Sequence, residues 1–376
     1  MAAFRYENAL TPNPPPGFLE ARNRRQKARA AGLHPDYWYP VAHSRNLKRG
    51  QVMGTRFWGR PIAVYRDAQG TVRALEDRCA HRQLKLSQGE VKGCNLVCQY
   101  HGWEYDCDGK VTAIPHELFG KPFPKLGVPS FPVQERYGHI WVFPGDPALA
   151  SQRKLPEIPE LEGRDRWGVI LLDGVWKAHH TMLMENICDF THGYLHRDHR
   201  PFWDPKLTHY EAVGDRVDVS YNTKVGAGRI FRRFVDEKKV NANHMDLCFE
   251  YPFQWSNTDD KIKSYCFLLP QDEQTTHGFF IFYFKSLKLP FLPLTMPPWL
   301  LDGVLKVAKR MFVQPVIDQD AWAVELEQEG YNRYSDLPVA EFSPVVSLFQ
   351  QLTIRKWEEY LATRNVVAKP SLGVVQ

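Results

Sequence analysis

Two thiols and two imidazoles lie close together in the first third of the chain. Cys79 and His81 form a C-x-H pair, sixteen residues follow, and Cys98 and His101 form C-x-x-H. This is ligand spacing for a metal. The strand-like segments ALEDR and GCNLV lead into Cys79 and Cys98, so each pair sits on a loop between strands. Two loops presenting two ligands apiece can clamp a compact cofactor. A Cys2His2 zinc site satisfies that geometry too, so the spacing alone does not decide. The single residue between Cys79 and His81 is tighter than the two to four usual in zinc sites. A 2Fe-2S cluster with two Cys on one iron and two His on the other fits better. Imidazole ligands raise its potential above that of an all-thiolate cluster and can couple electron transfer to a proton. Cys94 and Cys107 are off the pattern and read as ordinary residues.

A second group of ligand types stands in MENICDFTHGYLHRDH. Asn186, Asp189, His192 and His196 fall at helical spacing, with the two histidines at i and i+4. Two neutral imidazoles one turn apart can bind one metal. A carboxylate from elsewhere would complete the 2-His-1-carboxylate set of non-haem Fe(II) oxygenases, which keeps positions open for dioxygen. By itself H-x-x-x-H on a helix is weak and is as often structural. Histidines 116, 179, 180, 199, 209, 244 and 277 fit no ligand pattern and read as structural or exposed.

The elements that must hold these groups follow from patterning. A chain of 376 residues, 43% hydrophobic, can bury two ordinary cores. Seven cysteines without a positive-then-apolar leader in MAAFRYENAL suggest a reducing cytoplasm and metal ligation rather than a disulfide framework. The longest apolar run, Phe279 to Phe284, is far short of the roughly 20 residues of a membrane helix. The net charge of +5 is partly concentrated in Arg22 to Arg29, RNRRQKAR, which reads as a solvated helical arm rather than a nucleic-acid contact. A docking surface for an acidic redox partner is the other reading of that run.

From Tyr37 to about Pro147, short alternating segments broken by turn signals predict a small antiparallel β domain. LPEIPELEG then reads as a linker. Beyond residue 165 the order is strand, helix over HHTMLMENICDFTHGYLHRD, a run of strands, and helices to the end. That order predicts an α+β domain with helices packed on one face of an antiparallel sheet.

Cys79-Ala-His81-Arg82 and Cys98-Gln-Tyr-His101-Gly-Trp resemble the two ligand loops of Rieske proteins, over about residues 37 to 148. Leu84 and Tyr100 stand where respiratory Rieske proteins carry an extra disulfide-forming cysteine pair, so the resemblance is to the oxygenase and ferredoxin type. The string N-x-x-D-x-x-H-x-x-x-H behind it resembles the mononuclear iron motif of Rieske non-haem iron oxygenases, as in the alpha subunits of ring-hydroxylating enzymes. This resemblance, from about residue 37 to 365, implies a Rieske domain at 37–150 and a helix-grip-like catalytic domain at 160–365. An extension at 1–36 without chemistry and a tail at 366–376 flank them.

The cofactors implied are a 2Fe-2S cluster on Cys79, His81, Cys98 and His101, and mononuclear Fe(II) on His192, His196 and a late helical carboxylate. PVIDQDAWAVE supplies that carboxylate. Asp318 and Asp320 are about 200 degrees apart on a helix, so only one can face the metal. Gln319-Asp320 and Val324-Glu325 match the family pattern and favour Asp320, with Asp318 and Glu325 as alternatives. The family assembles as head-to-tail trimers, in which Asp189 would link a neighbour's His101 to its own His192, with Asn186 beside the iron.

The implied activity is that of a terminal oxygenase. It takes O2 and electrons from a separate reductase or ferredoxin, since this chain shows no flavin or nicotinamide fingerprint. It hydroxylates, dihydroxylates or demethylates a small molecule. Leu183, Ile187 and Phe190 beside the motif suggest an apolar or aromatic substrate, although the same residues serve equally as core. An electron carrier with a non-catalytic second domain is the alternative, and a zinc-stabilised binding module a third. LPFLPLTMPPWLLDGVLKVAKRMF reads as core packing or a lid, with a membrane-grazing helix as the alternative.

Overall fold

The computed structural model describes residues 14–162, 167–197, 199, 201–225, 243–285 and 297–367. Ten short strands build the N-terminal half. They are β1 (Tyr39–His43), β2 (Val52–Phe57), β3 (Arg60–Arg66), β4 (Val72–Glu76), β5 (Glu90–Lys92), β6 (Asn95–Val97), β7 (Glu104–Tyr105), β8 (Val111–Ala113), β9 (Val133–Arg136) and β10 (His139–Val142). They pair antiparallel as β1-β10-β9, β2-β3-β4 and β5-β6-β7-β8. The C-terminal half is one seven-stranded antiparallel sheet. Its strands are β11 (Gly168–Trp176), β12 (Phe202–Val213), β13 (Arg216–Val225), β14 (Asn243–Glu250), β15 (Phe253–Thr258), β16 (Ile262–Asp272) and β17 (Thr275–Phe284). Their order is β11-β17-β16-β15-β14-β13-β12. Helices α1 (Arg24–Ala30), α2 (Pro159–Glu162), α3 (His180–Cys188), α4 (Pro298–Ala308), α5 (Gln314–Tyr334) and α6 (Pro344–Val367) complete an α+β chain. None of the described helices is long and apolar enough to cross a membrane.

A small apolar cluster built on Leu75, Leu86, Leu96, Tyr105 and Trp103 lies directly under the two ligand loops. The larger core does not break at the linker. It runs from Tyr39, Ile140 and Trp141 on β1 and β10 into Phe267 and Phe279 on β16 and β17. Trp141 is fully buried, edge-on to Phe267 at 5.1 Å and to Phe253 at 6.0 Å. The turn joining β2 to β3 also docks on the second sheet, where Trp58 N–H donates to Pro270 O (2.8 Å) and Gly59 N–H to Gln271 O (2.7 Å).

Two sequence expectations are corrected. The helix predicted over HHTMLMENICDFTHGYLHRD stops at Cys188. Asp189 takes an extended backbone, φ −103 and ψ 98, and its carboxylate accepts the Thr191 N–H at 3.0 Å. A short aspartate side chain competes with helix hydrogen bonding in this way. A tight turn of 3-10 helix over Phe190–Tyr194 follows, so Asn186, Asp189, His192 and His196 do not share one α-helix. The basic run is also not a solvated arm. In α1, Gln26, Ala28 and Arg29 are buried, Gln26 Nε2 donates to Ser335 O (3.1 Å), and Asn23 caps the helix by accepting Gln26 N–H (2.9 Å).

α4 packs Leu301 and Leu305 against β11. One π turn, Lys309–Val313, joins it to α5. Pro315 explains the turn, because proline has no N–H for the carbonyl one turn back and its ring crowds that carbonyl. The expectation of a lid or membrane contact falls partly on residues 286–296, outside the described residues. The remainder, 297–316, is this packed helix and turn.

His139 lies wholly inside the shared core, donating Nδ1–H to Tyr137 O at 2.9 Å. Burial, then the neighbouring His43, hold its pKa down to about 4. The unfolded chain titrates near about 6.5, so between those values it binds more protons than the folded one. The stability contributed by neutral His139 is therefore full above about pH 6.5 and is lost as pH falls toward 4. Denaturant unfolding of His139→Phe at pH 7 and pH 5 should show a smaller acid-induced loss than the parent protein; an equal loss counts against this source of acid sensitivity.

Candidate metal centres

The first centre is assembled by two loops on the β4 and β5–β8 sheets. β4 ends at Glu76, and Cys79 N–H then donates to Leu84 O (2.7 Å) and Gln83 N–H to Cys79 O (2.9 Å), closing the first loop. β6 and β7 pair Leu96 with Tyr105 and Val97 with Glu104, so Cys98 and His101 occupy the hairpin between them. Cys98 N–H donates to Trp103 O and Gly102 N–H to Cys98 O. Gly102 has φ +68, and a Cβ there would meet Pro115 Cγ at 2.7 Å, so only glycine fits beside His101. Tyr105 ties the loops together: its hydroxyl lies 3.1 Å from Cys79 Sγ and accepts Ala80 N–H at 2.8 Å.

The thiols are buried and the imidazoles point outward. Cys79 and Cys98 are each 2% exposed, and burial, with the adjoining Cys79 thiol, pushes the Cys98 thiol up. The His81 and His101 rings are half-buried, with centroids 4.5 Å apart. The four therefore gather as a buried sulfur pair and a half-buried pair of rings. A two-iron cluster with sulfur ligation at one end and nitrogen at the other suits this arrangement.

His116, expected to be unremarkable, stands beside this centre. Trp103 stacks on His81 at 4.7 Å and 2°, and its Nε1–H donates to His116 Nε2 at 3.1 Å. Its distance from the motif in sequence gave no sign of this.

The second centre brings together His192, His196 and Asp320. The two histidines come from the 3-10 turn after α3 and the residues just beyond it, so a sharp turn replaces the predicted helix face. Asp320 lies in the buried stripe of α5 with Val324, Gln328 and Tyr331, spaced as one helical face. Asp320 Oδ1 is 3.1 Å from His196 Nε2 and 3.5 Å from His192 Nε2. Asp318 points outward and takes a hydrogen bond from Gln314, and Glu325 accepts the Lys177 N–H at 2.8 Å. Neither alternative carboxylate reaches the histidines.

The far ring nitrogens are held by protein. His192 Nδ1–H donates to the main-chain carbonyl of Asp189, and His196 Nδ1–H to Gln319 Oε1 at 2.9 Å. Both Nε2 atoms are thereby directed at Asp320. His196 Nε2 and Asp320 Oδ1 are buried, yet neither makes an aligned hydrogen bond. Buried polar atoms left unpaired in this way are costly, and a divalent cation between them would satisfy all three residues. Burial pushes the His192 pKa down against the pull of Asp320. At His196 burial acts likewise, but the Asp320 carboxylate outweighs it and the pKa rises. The Phe202 ring stands 5.3 Å from His192 and 5.7 Å from His196, giving the site an apolar wall.

The other sequence candidates sit nearby without joining the triad. The Asp189 carboxylate caps Thr191, and it is the Asp189 backbone that contacts His192. Asn186 is half-buried on α3, with no side-chain hydrogen bond to a described residue. His179 and His180 are buried and structural, His180 donating to Ala31 O at 2.7 Å. Gln319, in sequence only the amide before Asp320, supports His196 in the structure. Partners of this kind typically change metal affinity by about 10–100-fold. Gln319→Leu should weaken Fe(II) binding at this centre by about that factor while leaving the visible spectrum of the first centre unchanged; Fe(II) titration of chelator-treated protein measures it.

Residues 37–132 match the Rieske [2Fe-2S] domain, and residues 176–364 match the vanillate O-demethylase oxygenase C-terminal domain. The 4beta-methylsterol monooxygenase of Methylococcus capsulatus is 43% identical over 340 residues, 90% of this chain and 92% of that one. The oxygenase component of dicamba O-demethylase from Stenotrophomonas maltophilia is 35% identical over 166 residues, 43% of this chain and 47% of that one. In fold, the crystal structure of dicamba monooxygenase bound to 3,6-dichlorosalicylic acid superposes with a TM-score of 0.70 at 23% identity, covering 89% of this chain and 100% of that one. A chain that pairs a Rieske domain with this catalytic domain, over nearly its whole length, belongs to the Rieske non-haem iron oxygenases.

Proposed function

We propose that Cys79, His81, Cys98 and His101 hold the 2Fe-2S cluster and that His192, His196 and Asp320 hold the mononuclear iron of a monooxygenase acting on a methyl carbon of an apolar molecule. The observation that carries the site assignment is the convergence of two imidazoles and one carboxylate on a buried point, with His196 Nε2 and Asp320 Oδ1 otherwise unpaired. The substrate class is supported by the relative named for methylsterol oxidation and by the demethylase family of the C-terminal domain.

When bound, the two iron groups supply electron transfer and dioxygen activation. The overall balance is a methyl group, O2, two electrons and two protons giving a hydroxymethyl group and water. A separate reductase delivers the electrons. The chain itself sets geometry. Asp189 and Gln319 accept the Nδ1 protons of the two histidines, which leaves each Nε2 as the nitrogen that would ligate a metal. The Phe202 and Phe190 rings, 4.6 Å apart, keep water from one side of the centre and offer an apolar surface to the substrate.

In a head-to-tail trimer, the exposed tip bearing Tyr100, 52% exposed, and Leu84, 40% exposed, would meet a neighbour's catalytic half near Asp189. One Asp189 oxygen is committed to Thr191, and the carboxylate is half-buried, well suited to receive the neighbour's His101 N–H. Buried free thiols at Cys188, Cys248 and Cys266 fit a reducing, cytoplasmic setting.

Iron content and turnover test the proposal. The intact enzyme should carry about three irons per chain, two of them in the cluster. His192→Ala should keep the red-brown cluster spectrum, lose the third iron and lose hydroxylation of a methylated polycyclic substrate in the presence of reductase and O2. Persisting turnover would remove His192 from the site. Products from a panel of methylated alicyclic and methoxylated aromatic compounds separate C-methyl oxidation from O-demethylation.

A further inference from the structure

We infer that Arg29, in the N-terminal segment ahead of both domains, is a positioning residue for the mononuclear iron: it clamps α3, which leads into the histidine turn, to α5, which carries Asp320. The inference rests on the reading of His192, His196 and Asp320 as that site.

The guanidinium is buried, its side chain 2% exposed, between α3 and α5. All four of its terminal N–H groups are committed. Nη1 donates to Thr181 Oγ1 (2.8 Å) and Glu185 Oε1 (2.5 Å), and Nη2 donates to Glu185 Oε2 (2.7 Å) and Glu327 Oε1 (2.8 Å). Gln350 Nε2 on α6 donates to Glu185 Oε1 as well, at 3.0 Å. Burial alone would lower the arginine pKa, but Glu185 and Glu327 outweigh it, so the charge is fixed in place. A bidentate arginine–carboxylate pair is directional as well as strong, and a buried charge bound on three sides leaves little freedom to its neighbours.

Both carboxylates connect to the iron ligands by short, stiff routes. Glu185 O accepts the Asp189 N–H at 2.9 Å, and the Asp189 carbonyl accepts the His192 Nδ1–H. Glu327 lies seven residues, two helical turns, beyond Asp320 on α5, which puts the two on the same face of one helix. Arg29 therefore sets the separation of α3 and α5 about 10 Å from the metal point. Within the same turn of α5, Gln328 Oε1 accepts His179 N–H (2.9 Å) and Glu325 Oε1 accepts Lys177 N–H (2.8 Å), so α5 is also bonded to the chain just before α3. The three ligands need their relative placement held to within about half an ångström to bind tightly.

The test uses the cluster-loaded enzyme with its mononuclear iron removed by chelator, then titrated with Fe(II) anaerobically. Arg29→Met should leave the cluster spectrum unchanged and weaken Fe(II) binding at the mononuclear site by about 10-fold or more. Arg29→Lys keeps the charge but not the planar fork and should fall between. Should Arg29→Met fail to fold, Glu327→Gln removes the half-exposed end of the clamp and should weaken Fe(II) binding about threefold. Parent-like Fe(II) affinity in folded Arg29→Met, or in Glu327→Gln where that variant stands in, overturns the inference even if the unfolding midpoint falls, because a merely structural arginine would shift only the midpoint. A parent enzyme that binds no third iron overturns the site reading itself, and with it this inference.

Discussion

A carboxylate and two imidazoles facing one another in a buried space are stable only if something positive lies between them. Taking an ionised carboxylate out of water costs several kcal/mol unless it is paired, on the order of the penalty for any buried ion. At Asp320 that pairing is shared with His192 and His196, which come from the other side of the catalytic half, His196 standing 123 residues before Gln319 in sequence. The seven-stranded sheet, the break in α3 and the π turn before α5 all serve this closure. The sheet fixes Phe202 and Tyr221 behind the histidine turn, the break redirects the chain after Cys188, and the π turn sets the rotation of α5 on which the inward face of Asp320 depends.

The first centre solves the opposite problem. Its thiols are buried in a small apolar cluster, while its imidazoles are half-buried with Trp103 stacked against one and Tyr100 lying 3.7 Å from the other by ring centroid. Sulfur inside and nitrogen outside leaves the proton-bearing end of the centre open to a partner. One candidate metal point is thus shut and the other presented, and the same chain must build both.

Much of this was legible in the residues. Cys79, His81, Cys98 and His101 were readable because close ligand spacing survives any fold that makes two adjacent hairpins. Helix geometry lets only one of Asp318 and Asp320 face a metal, and the resemblance of Gln319-Asp320 to the family pattern is what favours Asp320. The structure does bring His192 and His196 together, through a 3-10 turn rather than the face of one helix. Helical spacing does not reveal that Asp189 will spend its side chain on Thr191 N–H and end the helix. Gln319, His116 and Arg29 act through contacts between segments distant in sequence, where composition carries no signal. A basic run looks solvated until its two carboxylate partners, on helices more than a hundred residues downstream, are seen around it.

The continuous apolar core between the two halves bears on how such enzymes diversify. Trp141 on β10 packs on Phe253 and Phe267 of the large sheet, and the tip joining β2 to β3 hydrogen-bonds to the end of β16. An electron-transfer module grafted here from a sister enzyme would have to bring matching side chains on β1 and β10, or leave a cavity where an indole now sits. The ligand loops and the strands beneath them, resting on their own small cluster, carry no such obligation. Exchange between lineages is therefore freest at the redox tip and most constrained at the seam, so variation in potential can accumulate faster than variation in how the two halves are joined.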